Sequence, residues 1–217
     1  MRAYLDNGTT TPVAREVVDA MLPYFTEKFG HPVFLYSLGQ EAADAVEKSQ
    51  RIIARTISAQ PAEVVFTSGA TDANDMAIRG VAYANRGRGK HIITTKVENP
   101  SVLRVCERLE KEGFKVDYLP VDREGLVSTA ELEKKLTDET TLVSVANVND
   151  EIGTIEPVEE IGKILREREE KTYFHVNAAA GYGRVPIDVK RIGADLLSLS
   201  SHTVSYTHLT LPTKRIV

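Results

Sequence analysis

The sequence predicts an α/β fold, a mostly parallel sheet flanked by helices. Three observations predict it. Short β-rich runs alternate with longer amphipathic stretches through most of the chain. Candidate strands such as residues 143–146 are apolar without strict alternation, as strands covered on both faces are. The 217 residues, 42% hydrophobic and 27% charged, suffice for a globular core.

In chain order, Val17, Val18, Met21, Leu22 and Phe25 share one side of a predicted helix over residues 17–29. A second helix is predicted over 40–58, carrying Ala42, Val46, Ile53 and Ile57. Val64, Val65 and Phe66 read as a short buried strand that enters a Ser-Gly turn, and a helix over 71–85 follows. After a strand at 92–94 comes a helix over 100–112. Pro100 suits its first turn and Gly113 its stop. Beyond a strand at 116–119, Ser128 and Glu131 have capping-box spacing for a helix to Leu136. A β-branched strand over 141–146, a helix over 157–169 and strands over 173–176 and 196–199 complete the set. No internal repeat or low-complexity linker interrupts the pattern.

Composition excludes several function classes. The formal charge is −4, and the short basic run at 86–90 lacks interleaved aromatics, so no nucleic-acid partner is expected. One cysteine, Cys106, allows no internal disulfide, and no His or Cys pair has zinc-ligand spacing, so no metal site is expected. The first residues lack the apolar run of a signal peptide, and no segment approaches the ~20 apolar residues that cross a bilayer. A cytoplasmic protein without a membrane partner is the expectation.

Four motifs can carry chemistry. Thr67-Ser68-Gly69-Ala70-Thr71 opens a helix directly after a strand. It is either a phosphate cradle, with helix N–H groups and hydroxyl donors around Gly69, or an ordinary capped turn. It is no nucleotide motif: no Gly-x-Gly-x-x-Gly follows a strand, and Gly87-Arg88-Gly89-Lys90 lacks the residues of a P-loop. Asn149 to Thr154 follows the 141–146 strand, where an open α/β sheet binds ligands; the alternative is an Asx turn. His175-Val176-Asn177-Ala178-Ala179 and Ser198-Leu199-Ser200-Ser201-His202 end two further strands with small residues. His91 and His208 read as surface or hydrogen-bonded core residues.

In this order, the motifs resemble the NifS/IscS-type cysteine desulfurases of the class V aminotransferase family. The opening Tyr4 to Pro12, Met21-Leu22-Pro23-Tyr24-Phe25, Phe66 to Thr71, Asn149 to Thr154 and Ile187-Asp188-Val189 carry the likeness, which runs from about Ala3 to His202. It covers roughly the first half of a family member. The resemblance implies the large domain of a fold-type I enzyme dependent on pyridoxal 5′-phosphate, here truncated, and a homodimeric parent. Residues 1–14 would be an N-terminal arm, 15–203 the incomplete cofactor-binding domain, and 204–217 a tail foreign to the family.

The resemblance also implies roles. Ala70 and Thr71 would hold the cofactor phosphate, helped by Ser200 and His202, and Asn149 would sit by the ring's phenolic oxygen. The implied reaction converts L-cysteine to L-alanine. Its sulfur passes to a mobile-loop cysteine as a persulfide, and then to an acceptor or iron–sulfur scaffold protein. Cys106, on a predicted helix beside Val105 and Leu109, reads as core and not as that nucleophile. Related readings are a selenocysteine lyase or another class V enzyme; a reading of a different class is a catalytically dead scaffold paralogue.

Departures from the family pattern matter as much. Asn99 stands where members have a histidine stacked on the ring, Asn177 where they have an aspartate at the ring nitrogen, and Ala180 where glutamine is common. Thr203 occupies the position of the Schiff-base lysine, so this chain is expected to be inactive. His31, Asp72 and Asp75 replace a familiar asparagine, glutamate and asparagine. An amide at 177 forfeits a charge-assisted bond, worth roughly tenfold in rate. The tail reads like translated sequencing adapter, and Lys214 within it is not expected to replace the lysine.

Overall fold

The computed structural model describes residues 3–5 and 10–204, apart from the Thr203 side chain. Residues 6–9 of the opening motif, His208 and Lys214 lie outside the described residues, as does the tail from residue 205. The chain divides into two compact units. The first is drawn from Met1–Phe66, Pro186–Asp188 and Ser201–Val217, the second from Thr67–Val185 and Val189–Ser200.

The second unit holds the sheet. Its elements are α3 (Ala70–Asn85), β1 (His91–Thr95), α4 (Pro100–Lys111), β2 (Lys115–Leu119), α5 (Thr129–Lys135), β3 (Thr140–Ala146), α6 (Val158–Arg166), β4 (Tyr173–Asn177), α7 (Val189–Ile192) and β5 (Leu196–Ser198). The strands run in the order β2-β1-β3-β4-β5, with every pairing parallel. β3 is buried along its whole length, which is why it shows no alternation.

Right-handed crossovers place α4 on one face and α5, α6 and α7 on the other. The packing agrees: α3 lies against α4, and α6 against α5 and α7. Ile78, Val105, Cys106 and Leu109 from the first layer bury against Ile92 and Leu142 of the sheet. The chain leaves β1 toward β2 and leaves β3 toward β4, so the topological switch lies between β1 and β3. Ligands of open α/β sheets bind outside the carboxyl ends of the strands at that point.

Helix ends follow local chemistry. Asn99 caps α4 ahead of Pro100, its Oδ1 accepting from the Ser101 backbone N–H at 3.0 Å. Ser128 Oγ accepts from the Glu131 N–H at 3.3 Å, while the Glu131 carboxylate takes the Lys134 ammonium at 2.6 Å, so half of the expected capping box forms. α6 ends at Arg166, three residues short of expectation, and α7 was not anticipated.

The first unit contains α1 (Arg15–Thr26), α2 (Ser37–Thr56) and a 3-10 turn at Pro61–Glu63. Val17 is the one buried residue of α1; Leu22 and Phe25 are exposed. Periodicity located that helix and its apolar side but not what would cover it. α2 buries Ala42 and Ile53, whereas Val46 is exposed. The expected strand at 64–66 joins no ladder among the described residues, and Val65 and Phe66 are exposed. Backbone pairing makes a strand; here the Gln50 amide donates to the Val64 carbonyl at 2.9 Å.

Candidate functional site

Thr67 to Thr71 form the corner that opens α3. Gly69 has φ +157° and ψ −178°, a conformation essentially confined to glycine, and no atom stands within 4 Å of where a Cβ would be. The Ala73 N–H bonds the Gly69 carbonyl at 3.0 Å. The N–H groups of Ala70, Thr71 and Asp72 therefore have no intrahelical acceptor and face outward from a 16-residue helix. Thr71 is exposed. No side chain caps this end; the Asp72 Oδ2 turns back to accept the Ser68 N–H at 3.0 Å and the Ser68 hydroxyl at 3.1 Å. An arriving anion meets an open donor set with one carboxylate beside it.

The asparagines gather at the carboxyl edge of the sheet, beside the switch between β1 and β3. Asn149, after β3, is buried and donates to the Val97 carbonyl at 2.8 Å; its Oδ1 accepts the Glu151 and Ile152 N–H groups at 2.9 and 3.0 Å. The Asx turn expected as the alternative for this motif is formed, at the carboxyl end of β3. Asn99, after β1, donates to Asp150 Oδ2 at 2.8 Å. Its amide is committed to the helix cap and to this bridge. Asn177 ends β4, buried, with Oδ1 accepting the Ala179 N–H at 3.3 Å. Ala180 is half-buried, and its carbonyl accepts from Arg184 at 3.0 Å. Ser200 follows β5, half-buried. His202 belongs to the other unit, where its carbonyl accepts the Thr11 hydroxyl at 2.9 Å.

Glu98 is the residue that sequence reasoning missed. It lies between β1 and Asn99, only 4% exposed. Its Oε1 accepts the Ala146 N–H at the end of β3, and the Asn177 amide favours its charged form from the end of β4. Oε2 has no partner. Burial outweighs these donors and pushes the carboxyl up to about 8, with Glu156 raising it further. Its local signal is weak, an acid three residues past β1 and one before a helix cap.

Three histidine and cysteine positions resolve as structural. His175 is buried between Ser144 Oγ, 2.8 Å from Nδ1, and Ser198 Oγ, 2.9 Å from Nε2; burial lowers it to about 4. His91 is a bonded core residue, as expected, between Thr140 Oγ1 at 2.8 Å and Asp117 Oδ2 at 3.0 Å. Cys106 is fully buried, and burial raises its thiol to about 12. Among the described residues no group of His, Cys, Asp or Glu could hold a metal ion, and no helix is long and apolar enough to cross a membrane.

The model of the class V aminotransferases matches residues 3–205. The chain belongs to this family. Relatives include the cysteine desulfurase IscS of Methanosarcina thermophila, 49% identical over 92% of this chain and 49% of the relative. The mitochondrial cysteine desulfurase of Drosophila melanogaster is 46% identical over 93% of this chain and 43% of its own length. Among solved structures, a NifS-like protein superposes with a TM-score of 0.90 at 37% identity, covering 94% of this chain and 56% of that one. SspA in complex with cysteine gives 0.90 at 36%, covering 94% and 58%. The chain spans about half the length of the curated relatives it matches. The parallel sheet expected from sequence is the family's fold.

The residues fit the phosphate and ring ends of pyridoxal 5′-phosphate. The open corner at Gly69 admits an anion, and the unpartnered Glu98 Oε2 and Asn147 Oδ1 mark polar capacity buried in the same unit. Residue 203, which the resemblance gives to the Schiff-base lysine, is threonine.

Proposed function

We propose that this chain is the N-terminal part of a cysteine desulfurase that takes sulfur from L-cysteine, with pyridoxal 5′-phosphate as its cofactor. The observation that carries the reading is the placement of Asn99, Asn149 and Asn177 at the carboxyl ends of β1, β3 and β4, beside the topological switch. Ala70 and Thr71 would hold the cofactor phosphate by backbone N–H and hydroxyl. Asn149 and Asn177 would line the ring, with Ala180 beneath it and Ser200 near the phosphate. When bound, the cofactor supplies an electron sink for the substrate's α-carbon. The chain's own part is to grip the phosphate and orient the ring, with Glu98 as the buried acid beside Asn177.

The parent protein would act as a cytoplasmic homodimer and hand its sulfur to an acceptor or iron–sulfur scaffold protein. Cys106 is not the sulfur nucleophile in this reading, because its thiol is buried and protonated. Thr203 leaves the chain itself without the reactive amine.

Two departures favour a second reading, a cofactor-binding paralogue without catalysis. The Asn99 amide is spent on α4 and Asp150, and residue 203 carries no amine. One experiment addresses both readings. The chain and its Thr203→Lys variant are mixed with pyridoxal 5′-phosphate, reduced with borohydride and mapped by mass. The first reading expects no adduct on the parent chain and one on residue 203 of the variant. An unlabelled variant sinks it and leaves the second; an adduct at Lys214 in both proteins sinks the assignment of position 203.

A further inference from the structure

Glu98 is a buried acid without a counter-charge. Its surroundings supply three hydrogen-bond donors, the Ala146 N–H, the Asn177 amide and the Asn99 N–H, but no cation. The other titratable groups felt at this point, Glu156 and Cys106, are acids. A buried carboxyl is costly when ionised unless an opposite charge compensates it. One Glu98 oxygen remains without any partner. A residue kept in this condition at a ligand-binding edge invites a charge that arrives with the ligand.

Asn177 is placed to connect the two. A backbone N–H can only donate, so the Ala179 contact fixes the Asn177 oxygen on that side and turns its NH₂ to the other. The amide on that side favours the charged form of Glu98. The amide oxygen has a second lone pair, free to accept an N–H from a ligand.

Resting on the cofactor reading above, we infer that Glu98 is a positioning residue, acting through Asn177 as the counter-ion of a protonated ring nitrogen. The carboxylate aligns the amide dipole, and the amide oxygen faces the ring N–H⁺. The charge lost where aspartate gives way to Asn177 is thus held one side chain further back. Protons balance on binding: Glu98 releases one and the ring nitrogen carries one. At an effective dielectric of ~20, a unit charge at this remove shifts the ring's protonation by on the order of 10- to 100-fold.

The test uses pyridoxamine 5′-phosphate labelled with ¹⁵N in the ring, which needs no lysine, bound to the chain and to Glu98→Gln. The substitution keeps the shape and the acceptor for Ala146 but removes the group that ionises. The ¹⁵N shift separates pyridinium from pyridine, and a purely structural role for Glu98 would not move it. The expected result is pyridinium in the parent chain and a tenfold or greater fall in ring protonation in Glu98→Gln. Equal protonation in both proteins, or an unprotonated ring in the parent chain, overturns the inference while leaving the cofactor reading in place. A ligand that binds neither protein overturns the cofactor reading itself and the inference with it. Should Glu98→Gln not fold, the carboxyl ¹³C shift of Glu98 in the parent chain decides: ionisation on binding is expected, and an unchanged proton contradicts it.

Discussion

The Asn99 amide donates to Asp150 Oδ2 at 2.8 Å and so ties the loop after β1 to the loop after β3. This bridge spans the topological switch, and the Asn99 oxygen also caps α4 through Ser101. Asn99→Ala removes both contacts. The expected cost is about 1 kcal/mol, typical for loss of a cap. Urea melts of the two proteins check it, and an unchanged midpoint would mean that the cap contributes nothing.

Stability should fall as pH rises from 6.5 to 8. The ordinary Glu98 value is 4.5 and the folded one about 8, so across that window the folded chain holds a proton that the unfolded chain has released. Glu156, also raised by burial, acts in the same sense. His175 acts in the opposite sense at lower pH: its value drops from 6.5 to about 4, so its stabilising effect is lost as pH falls through that range. Glu98→Gln should flatten much of the decline above pH 6.5. Thermal melts at pH 6.5 and 8 give the comparison, and parallel declines in both proteins would remove Glu98 as the cause.

His175 clamps three strands, bonding Ser144 of β3 and Ser198 of β5 from β4. His175→Leu leaves two buried hydroxyls without partners, at an expected cost of about 2–4 kcal/mol. Denaturant unfolding measures it. A loss below about 0.5 kcal/mol would show that the hydroxyls re-pair locally.

Cys106 should resist alkylation in the folded chain. Burial raises its thiol to about 12, and the thiolate is the reactive form. Iodoacetamide at pH 8 is expected to label it only after denaturant is added. Fast labelling without denaturant would reopen Cys106 as a sulfur carrier.

Much of the fold was legible because its signals are local. The β-branched run at Thr140–Ala146 and the Pro100 to Gly113 helix stand where sequence placed them, within a residue or two. Val64 to Phe66 failed because a strand requires a partner elsewhere in the chain, which composition does not reveal. Leu22 and Phe25 marked a correct apolar side on α1 that the described residues leave open. Asn149 and Asn177 stand at the strand ends where sequence placed them. Glu98 was not legible, since its meaning comes from Ala146 and Asn177, which only the folded sheet brings beside it.

The grip of the Gly69 corner on a phosphorylated ring is measured most directly by calorimetric titration of pyridoxamine 5′-phosphate into the chain. Saturable binding is expected, displaced by inorganic phosphate and weakened at least tenfold by Thr71→Val and by Gly69→Val. Heat without saturation, or equal affinity in all three proteins with no displacement by phosphate, would contradict it.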